Sequence, residues 1–146
     1  MKKVRLSGMK KIVKSFYQLS LDELYAILQL RSEVFIIQQN CAYQDLDGID
    51  QKSLHVYLAD EKDLLAYARV YQEGEHFHIG RVLTKIRKKG YGNEVLQLAI
   101  SQCPKGKEIH LEAQSYAIGY YEKNGFIVSS KEYLLDGIAH VKMMMK

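Results

Sequence analysis

One segment, residues 79–95, constrains the fold and the chemistry of this chain more than any other. An apolar run, residues 79–84, leads through a basic turn into Arg87-x-x-Gly90-x-Gly92, and a helical pattern follows at once. Backbone N–H groups at a helix start are unpaired, the helix dipole adds about half a positive charge there, and glycines let the main chain approach an anion closely. The segment therefore predicts a phosphate-binding loop that fits a pyrophosphate. Taken alone, the same pattern also describes a strand, a basic turn and a surface helix, so the rest of the chain has to decide.

Two better-known phosphate loops do not fit this segment. A P-loop requires Lys followed by Ser or Thr directly after its last glycine, whereas Gly92 is followed by Asn93 and Glu94. A dinucleotide-binding fingerprint requires a third glycine and an acidic residue at the end of the next strand, and it opens a parallel βαβ fold near the N-terminus. Neither pattern is met here.

The length and charge of the chain favour one domain that does not bind nucleic acid. At 146 residues, folding buries about two-thirds of the surface that the unfolded chain exposes, which is enough for one core. We predict one domain over residues 11–146 behind a basic leader, residues 1–10, with Met9 as an alternative start. The formal net charge is +4, from 21 basic and 17 acidic side chains, which is well short of a strongly basic domain. The basic excess is concentrated in residues 2–14 and 81–89, and the second run is expected to draw in phosphates by its charge. No nucleic-acid reader motif is present either, so we expect no nucleic-acid partner.

The apolar runs are too short for membrane insertion. None approaches the ~20 residues of a membrane span, and no signal-peptide pattern follows the basic N-terminus. We therefore expect a cytoplasmic protein without a membrane partner, and the sequence is compatible with an oligomer. Cys41 and Cys103 are expected to be free thiols in that compartment. The cysteines and histidines lack zinc-ligand spacing, and residues 45–50 lack the closing glutamate of a calcium loop, so no metal is predicted.

The pattern of apolar residues predicts the element order β-α-β-β-β-α-β-α-β-β. Ser20 and Glu23 form a capping box that starts the first helix, which we expect to cover residues 21 to about 39. Gly125 is placed to end the last, short helix as a left-handed residue. The other predicted elements are strands at 11–17, 54–59, 64–71, 77–84, 109–114, 128–133 and 139–145 and helices at 93–102 and 117–124. The last two strands are expected to pair as a hairpin across the turn Leu135-Asp136-Gly137.

The loop at residues 87–92 and the helix after it resemble the acyl-CoA loop of the GNAT acetyltransferases. A second segment, residues 119–126 (GYYEKNGF), resembles the Tyr-Glu-Lys-x-Gly-Phe segment of that family, in which the tyrosine faces the sulfur of coenzyme A. The predicted element order matches the GNAT fold from about residue 11 onward. The resemblance implies a mixed α/β fold, with a central, mostly antiparallel sheet, a splayed parallel pair of strands and flanking helices.

A more particular resemblance, to the ElaA-type branch of this family, lies around the end of the first helix and near the C-terminus. The matching segments are Arg31-x-x-Val34-Phe35-x-x-Gln38-Gln39-x-Cys41-x-Tyr43-x-Asp45-x-Asp47, then Ala113-Gln114, then Asp136-Gly137-Ile138-Ala139-His140. The chain departs from the branch where Gln38 stands in place of a usual glutamate and Ala42 in place of a usual proline. Those departures bear on acceptor specificity and leave the predicted fold unchanged.

The resemblance implies that acetyl-CoA is the cosubstrate. Its pyrophosphate would be held by Arg87, Lys88, Lys89, Gly90, Tyr91 and Gly92. Moving an acetyl group from a thioester to an amine requires aligned reactants, a donor for the oxyanion, an acid for the thiolate and an acceptor for the proton of the amine. We expect main-chain groups of Val82, Leu83 and Thr84 to pair with the pantetheine arm as an added strand would, and Leu83 or its neighbour to supply the oxyanion donor.

Tyr121 is predicted to be the acid, because a tyrosine hydroxyl stays protonated at neutral pH and can donate to the departing sulfur. In the alternative interpretation Tyr120 and Tyr121 only pack. Glu112, His78 and His140 are the candidates for the general base, directly or through water. Asp45 and Asp47 are expected to shape or charge the acceptor pocket. The pocket itself is predicted to include Gln39, Glu112, Gln114 and His140.

Two functions follow from this reading of the sequence. The first is an N-acetyltransferase that transfers an acetyl group from acetyl-CoA to a primary amine in a ternary complex. The alternative is a non-catalytic acyl-CoA sensor or an interaction module on the same fold.

Overall fold

The computed structural model describes residues 9–86 and 90–146, and the eight strands found there form one sheet. The strands are β1 (Lys10–Ser15), β2 (Leu54–Ala59), β3 (Leu64–Glu73), β4 (His76–Thr84), β5 (Ile109–Gln114), β6 (Ile127–Val128), β7 (Tyr133–Leu135) and β8 (Ile138–Met145). The helices are α1 (Leu21–Arg31), α2 (Tyr91–Ser101) and α3 (Ile118–Lys123). The strand order is β1-β2-β3-β4-β5-β8-β6, with β7 also paired to β8.

The first helix begins at the predicted capping box. The Ser20 hydroxyl accepts a hydrogen bond from the Glu23 N–H at 3.0 Å, and the Glu23 carboxylate accepts one from the Ser20 N–H at 2.7 Å. The prediction placed the end of this helix near residue 39, but α-helical geometry ends at Arg31 and a π-helical segment, Ser32–Gln38, continues the chain. A π-turn is wider than an α-turn and frequently lies at a functional site.

The two faces of the sheet carry separate apolar clusters, because successive side chains of a strand point to opposite faces. Val56 and Leu58 of β2 pack in the cluster that α2 covers, whereas Tyr57 between them packs in the cluster that α1 covers. The sheet is therefore the middle layer of three.

A bulge interrupts β4 near its middle. Ile79 packs in the cluster beneath α2, and Leu83, four residues later, packs in the opposite cluster beneath α1. On a regular strand these two side chains would share a face. The pairing register with β3 shifts between Leu83 and Gly80, and Arg81 between them has a φ of +53°. The bulge thus turns the second half of β4 relative to the first.

The two central strands are parallel only at their beginnings. β4 pairs with β5 through Phe77 with Ile109 and His78 with His110, and no later pair joins the two strands in the described residues. Beyond this point β4 and β5 diverge and open a cleft at the centre of the sheet. All other pairings between described strands are antiparallel.

The C-terminal strands differ from the prediction in one respect. Residues 128–133 were expected to form one strand, but β6 and β7 are separate and both pair with β8. The predicted turn at Asp136 and Gly137 joins β7 to β8, and both residues have a positive φ, as a type I′ hairpin turn requires. Residues 1–8 of the predicted leader lie outside the described residues. Among the described helices, none combines the length and the apolar character needed to cross a membrane.

Candidate active site

A cavity of about 500 Å³ occupies the cleft between β4 and β5. The α1 side of the cavity is lined by the π-helical segment, and the other side by the first turn of α2 and by α3. Predicted site residues that line it are Gln39, Val82, Leu83, Thr84, Tyr91, Gly92, Glu112, Gln114, Tyr121 and His140. The predicted contacts of Arg87, Lys88 and Lys89 lie outside the described residues.

The start of α2 has the geometry of an anion site. Gly90 precedes the helix with a φ of +76°, and a Cβ atom there would meet no atom within 4 Å. The first hydrogen bond of the helix runs from the Glu94 N–H to the Gly90 carbonyl at 3.2 Å. The N–H groups of the first turn are therefore left to bind an outside acceptor, as at other helix N-termini. Such donors suit an anionic group.

Gly92 differs from Gly90 because it lies in contact with α3. A Cβ atom at Gly92 would lie 3.4 Å from the Tyr120 ring and 3.7 Å from the Thr84 side chain. The Tyr120 hydroxyl donates a 2.6 Å hydrogen bond to the Gly92 carbonyl. Tyr120 thereby ties the last helix to the loop.

The second half of β4 presents free backbone groups to the cleft. The Lys85 N–H donates to the Leu65 carbonyl of β3 at 2.8 Å. Hydrogen-bonded pairs alternate with non-bonded pairs along an antiparallel ladder, so the pair of Leu83 with Tyr67 is also a hydrogen-bonded one. The Leu83 N–H consequently points to β3, and the backbone groups of Val82 and Thr84 point to the open edge. The predicted oxyanion donor is therefore better placed on one of these neighbours than on Leu83.

Tyr121 is fixed by the end of α3. The Phe126 N–H donates to the Tyr121 carbonyl at 3.1 Å and the Gly125 N–H to the Glu122 carbonyl at 3.1 Å, which together form a Schellman cap. Gly125 has the predicted positive φ, +99°. The Tyr121 side chain is 8% exposed, and burial, followed by the neighbouring Tyr120 and Tyr116, raises its pKa. Its hydroxyl therefore stays protonated at neutral pH and faces the cavity without a hydrogen-bond partner among the described residues.

The predicted pocket residues Gln39, Glu112, Gln114 and His140 also line the cavity. Gln39 and Gln114 exchange amide hydrogen bonds of 3.4 and 3.1 Å across the cleft. The Tyr133 hydroxyl donates to the Glu112 carboxylate at 2.6 Å. His140 lies opposite Gln114 in the β5–β8 register and is 8% exposed. The structure thus brings all four predicted pocket residues together.

His78 enters the same cavity from β4. Its ring packs against Tyr71 with centroids 5.0 Å apart. Burial lowers the pKa of His78, although Glu73 and Glu112 oppose that change. The neutral imidazole is thus its stable form at neutral pH.

Asp45 and Asp47 do not supply free charge to the pocket, because three arginines bind them. Arg31, which is 0% exposed, reaches Asp45 at 3.0 Å, and Arg81 reaches the same carboxylate at 2.7 Å. Arg69 reaches Asp47 at 2.6 Å. Burial alone would raise the pKa of Asp47, but the hydrogen bond from Arg69 and other partners lower it to about 2.

The position of Arg81 corrects another expectation. Its charge was grouped with the basic run that would draw in phosphates, whereas its guanidinium donates to Asp45 and Asp47 and lies over the Tyr43 ring at 5.3 Å. Arg81 lines the cavity, and the buried network that holds it in place also includes Arg31, Arg69, Asp45, Asp47 and Asp50.

Sequence reasoning missed Tyr133, which supports both Glu112 and His140. It was predicted only as the end of a strand, and its partners are 21 and 7 residues away in the chain. The two cysteines are free thiols. Across residues 9–86 and 90–146, no three His, Cys, Asp or Glu side chains are grouped as a metal site requires.

Comparison with known proteins identifies the class to which this fold and cleft belong. Residues 20–146 match the family model described as an acetyltransferase (GNAT) domain. The chain belongs to the GNAT acetyltransferase family.

Its relatives place it in the ElaA-type branch of that family. It is 37% identical over 149 residues to a UPF0039 protein of Schizosaccharomyces pombe, covering 97% of this chain and 99% of that protein. It is 35% identical over 136 residues to the protein ElaA of Escherichia coli strain K12, covering 86% of this chain and 89% of ElaA.

Two solved structures agree with this assignment. The crystal structure of Escherichia coli ElaA superposes with a TM-score of 0.89 and 32% identity, and an acyl-CoA N-acyltransferase of Pseudomonas aeruginosa with a TM-score of 0.88 and 32% identity. Each comparison covers 94% of this chain and 99% of the other. The predicted fold and the predicted ElaA-type resemblance are confirmed. Proteins of this family use an acyl-CoA and an acceptor substrate, which supports an acyltransferase.

Proposed function

We propose that this protein transfers an acetyl group from acetyl-CoA to a primary amine by direct attack within a ternary complex. The observation that carries the proposal is the meeting of three features in one cavity: the N-terminus of α2, the open edge of β4 and the hydroxyl of Tyr121. Each suits a different part of an acyl-CoA. Because the three features lie in one cleft, one extended acyl-CoA molecule could contact all of them.

The two ends of that ligand have separate partners. The first N–H groups of α2, together with the residues of the predicted loop at 87–92, hold the pyrophosphate. Val82 and Thr84 offer backbone donors and acceptors to the amide groups of the pantetheine arm, which lies along β4 as an additional strand. The same edge supplies an N–H to the oxyanion that develops on the thioester carbonyl.

The reaction then needs two proton movements. The nitrogen of the amine attacks the carbonyl carbon, the C–S bond breaks, and the Tyr121 hydroxyl donates its proton to the departing sulfur. The amine enters from the end lined by Gln39, Gln114 and Glu112, where the Glu112 carboxylate favours a positive charge. We place this activity in the cytoplasm, in keeping with the sequence.

Thiol release from acetyl-CoA across a panel of primary amines tests the proposal, together with calorimetric binding of coenzyme A. We expect turnover with at least one amine and a product heavier by one acetyl group. A parallel series with longer acyl-CoA donors tests the choice of acetyl. Binding of coenzyme A without turnover on any amine would favour the alternative, a non-catalytic acyl-CoA sensor.

A further inference from the structure

The ring of His140 is held in one orientation by its own strand. Its Nδ1 lies 2.7 Å from the Ile138 carbonyl oxygen, and a carbonyl oxygen only accepts hydrogen bonds. Nδ1 therefore carries the hydrogen in the neutral ring, and Nε2 carries the lone pair. Among the described residues, no protein group hydrogen-bonds to Nε2. The basic nitrogen is thus available on a side chain that lines the cavity.

A second contact fixes the ring from its face. The Tyr133 ring stacks on His140 with centroids 6.2 Å apart and planes 26° apart. The hydroxyl of Tyr133 is itself anchored to Glu112. Other titratable groups around this part of the cavity are Cys41, Asp136 and His78.

The other two candidates for the base fit less well. His78 has no hydrogen bond among the described residues that would fix its tautomer, and burial makes its imidazole harder to protonate. Glu112 already accepts the Tyr133 hydroxyl, and its carboxylate is on an exposed residue. His140 alone of the three combines a fixed tautomer, a packed ring and a face on the cavity.

We propose that Nε2 of His140 takes the proton from the attacking amine. This inference rests on the proposed function and names its base. As the new C–N bond forms and the C–S bond breaks, the N–H proton of the amine moves to Nε2 and the Tyr121 proton moves to sulfur. The products are a neutral amide and a neutral thiol. The imidazolium then returns its proton to water, and Tyr121 regains one from water.

The test compares kcat/KM for the amine across pH in the wild type and in His140→Asn. The side-chain amide of Asn can still donate at the Nδ1 position to Ile138, but it has no basic nitrogen. The ionisation of the amine is the same for both proteins, so the ratio of the two profiles isolates the histidine. We expect the ratio of wild type to variant to rise with pH from near one to a plateau of about 10²-fold, the usual contribution of one positioned base.

Calorimetric binding of coenzyme A shows that the variant retains its fold, and we expect its affinity to match that of the wild type. A ratio that stays constant with pH would overturn the proposal, because it would leave His140 with a structural role only. The fall of kcat/KM at low pH could also disappear in His78→Asn and persist in His140→Asn. That result would overturn the proposal in favour of His78 as the base. Absence of turnover by the wild type with every amine would instead overturn the proposed function, and this inference with it.

Discussion

The Tyr120 hydroxyl donates a 2.6 Å hydrogen bond to the main-chain carbonyl of Gly92, so the last helix fixes the first turn of α2. We expect Tyr120→Phe to weaken the binding of acetyl-CoA with little change in kcat. A lost hydrogen bond costs about 1 kcal/mol, which corresponds to about five-fold in affinity if all of it acts at this loop. Calorimetry with coenzyme A and the KM for acetyl-CoA measure the effect. An unchanged KM, or a loss confined to kcat, would show that the bond does not organise the loop.

The elements that the sequence predicted well have local causes. The capping box places both of its partners within three residues, so the start of α1 is visible in Ser20 and Glu23. The turn at Asp136 and Gly137 is local in the same way. The π-helical segment is different, because the apolar pattern of residues 32–38 predicts a helix but does not distinguish an α-turn from a π-turn.

In the candidate site, too, residues in local motifs were predicted and contacts between distant residues were not. The glycine motifs are contiguous in the chain and pointed to Gly90 and Tyr121 directly. The ion pairs of Arg31, Arg69 and Arg81 join residues separated by 14 to 36 positions, so no local pattern revealed their partners. A signal was present in the sequence all the same. Arg69 interrupts the otherwise apolar run of β3, and a charged residue in a buried strand requires a partner.

Gly90 and Gly106 offer a matched pair of substitutions. Both have a positive φ, +76° and +87°, and a Cβ atom at either would meet no atom within 4 Å. A left-handed residue that is not glycine costs about 1–2 kcal/mol, so Gly90→Val and Gly106→Val should lose similar amounts of unfolding free energy. Only Gly90→Val should also lose affinity for coenzyme A. Denaturant unfolding and calorimetry measure the two quantities, and equal affinities in both variants would remove Gly90 from the phosphate site.

Arg31 holds two buried carboxylates, Asp45 at 3.0 Å and Asp50 at 2.7 Å. Replacing it by Met keeps the apolar stem and leaves the carboxylates short of one partner. Removal of one member of a buried ion pair costs about 3–5 kcal/mol, and we expect Arg31→Met to lose that much unfolding free energy. The control is Lys107→Met at the exposed pair with Glu75, which should lose less than about 1 kcal/mol. Similar losses in both variants would contradict the structural importance of the buried network.

Glu23 makes the free energy of unfolding depend on pH in the acid range. Burial alone would raise its pKa, but hydrogen bonds from Lys14, the Ser20 N–H and Tyr57 lower it from 4.5 to about 2. A lowered folded-state pKa means that the contribution of Glu23 is complete above the unfolded value and is lost as the pH falls from 4.5 towards 2. Glu23→Gln keeps the capping geometry without the charge. The difference in unfolding free energy between the two proteins should therefore shrink over that pH range, and a constant difference would exclude the assigned shift.

Tyr121→Phe keeps the aromatic ring, the packing against Phe126 and the Schellman cap, and removes only the hydroxyl. If that hydroxyl protonates the departing sulfur, kcat should fall by about 10²-fold, the usual contribution of one positioned acid, while the affinity for acetyl-CoA is retained. Tyr25→Phe on α1, where the tyrosine is 71% exposed, is the control and should leave both quantities unchanged.

The size of the loss in Tyr121→Phe also separates two roles for the hydroxyl. A thiolate is a good leaving group, so a loss of only a few-fold would mean that water replaces the acid and that Tyr121 serves to position the thioester. Comparison with Tyr120→Phe strengthens the test, since that variant should raise KM and spare kcat. Full activity in Tyr121→Phe, or the same fall in kcat in both variants, would exclude Tyr121 as the acid.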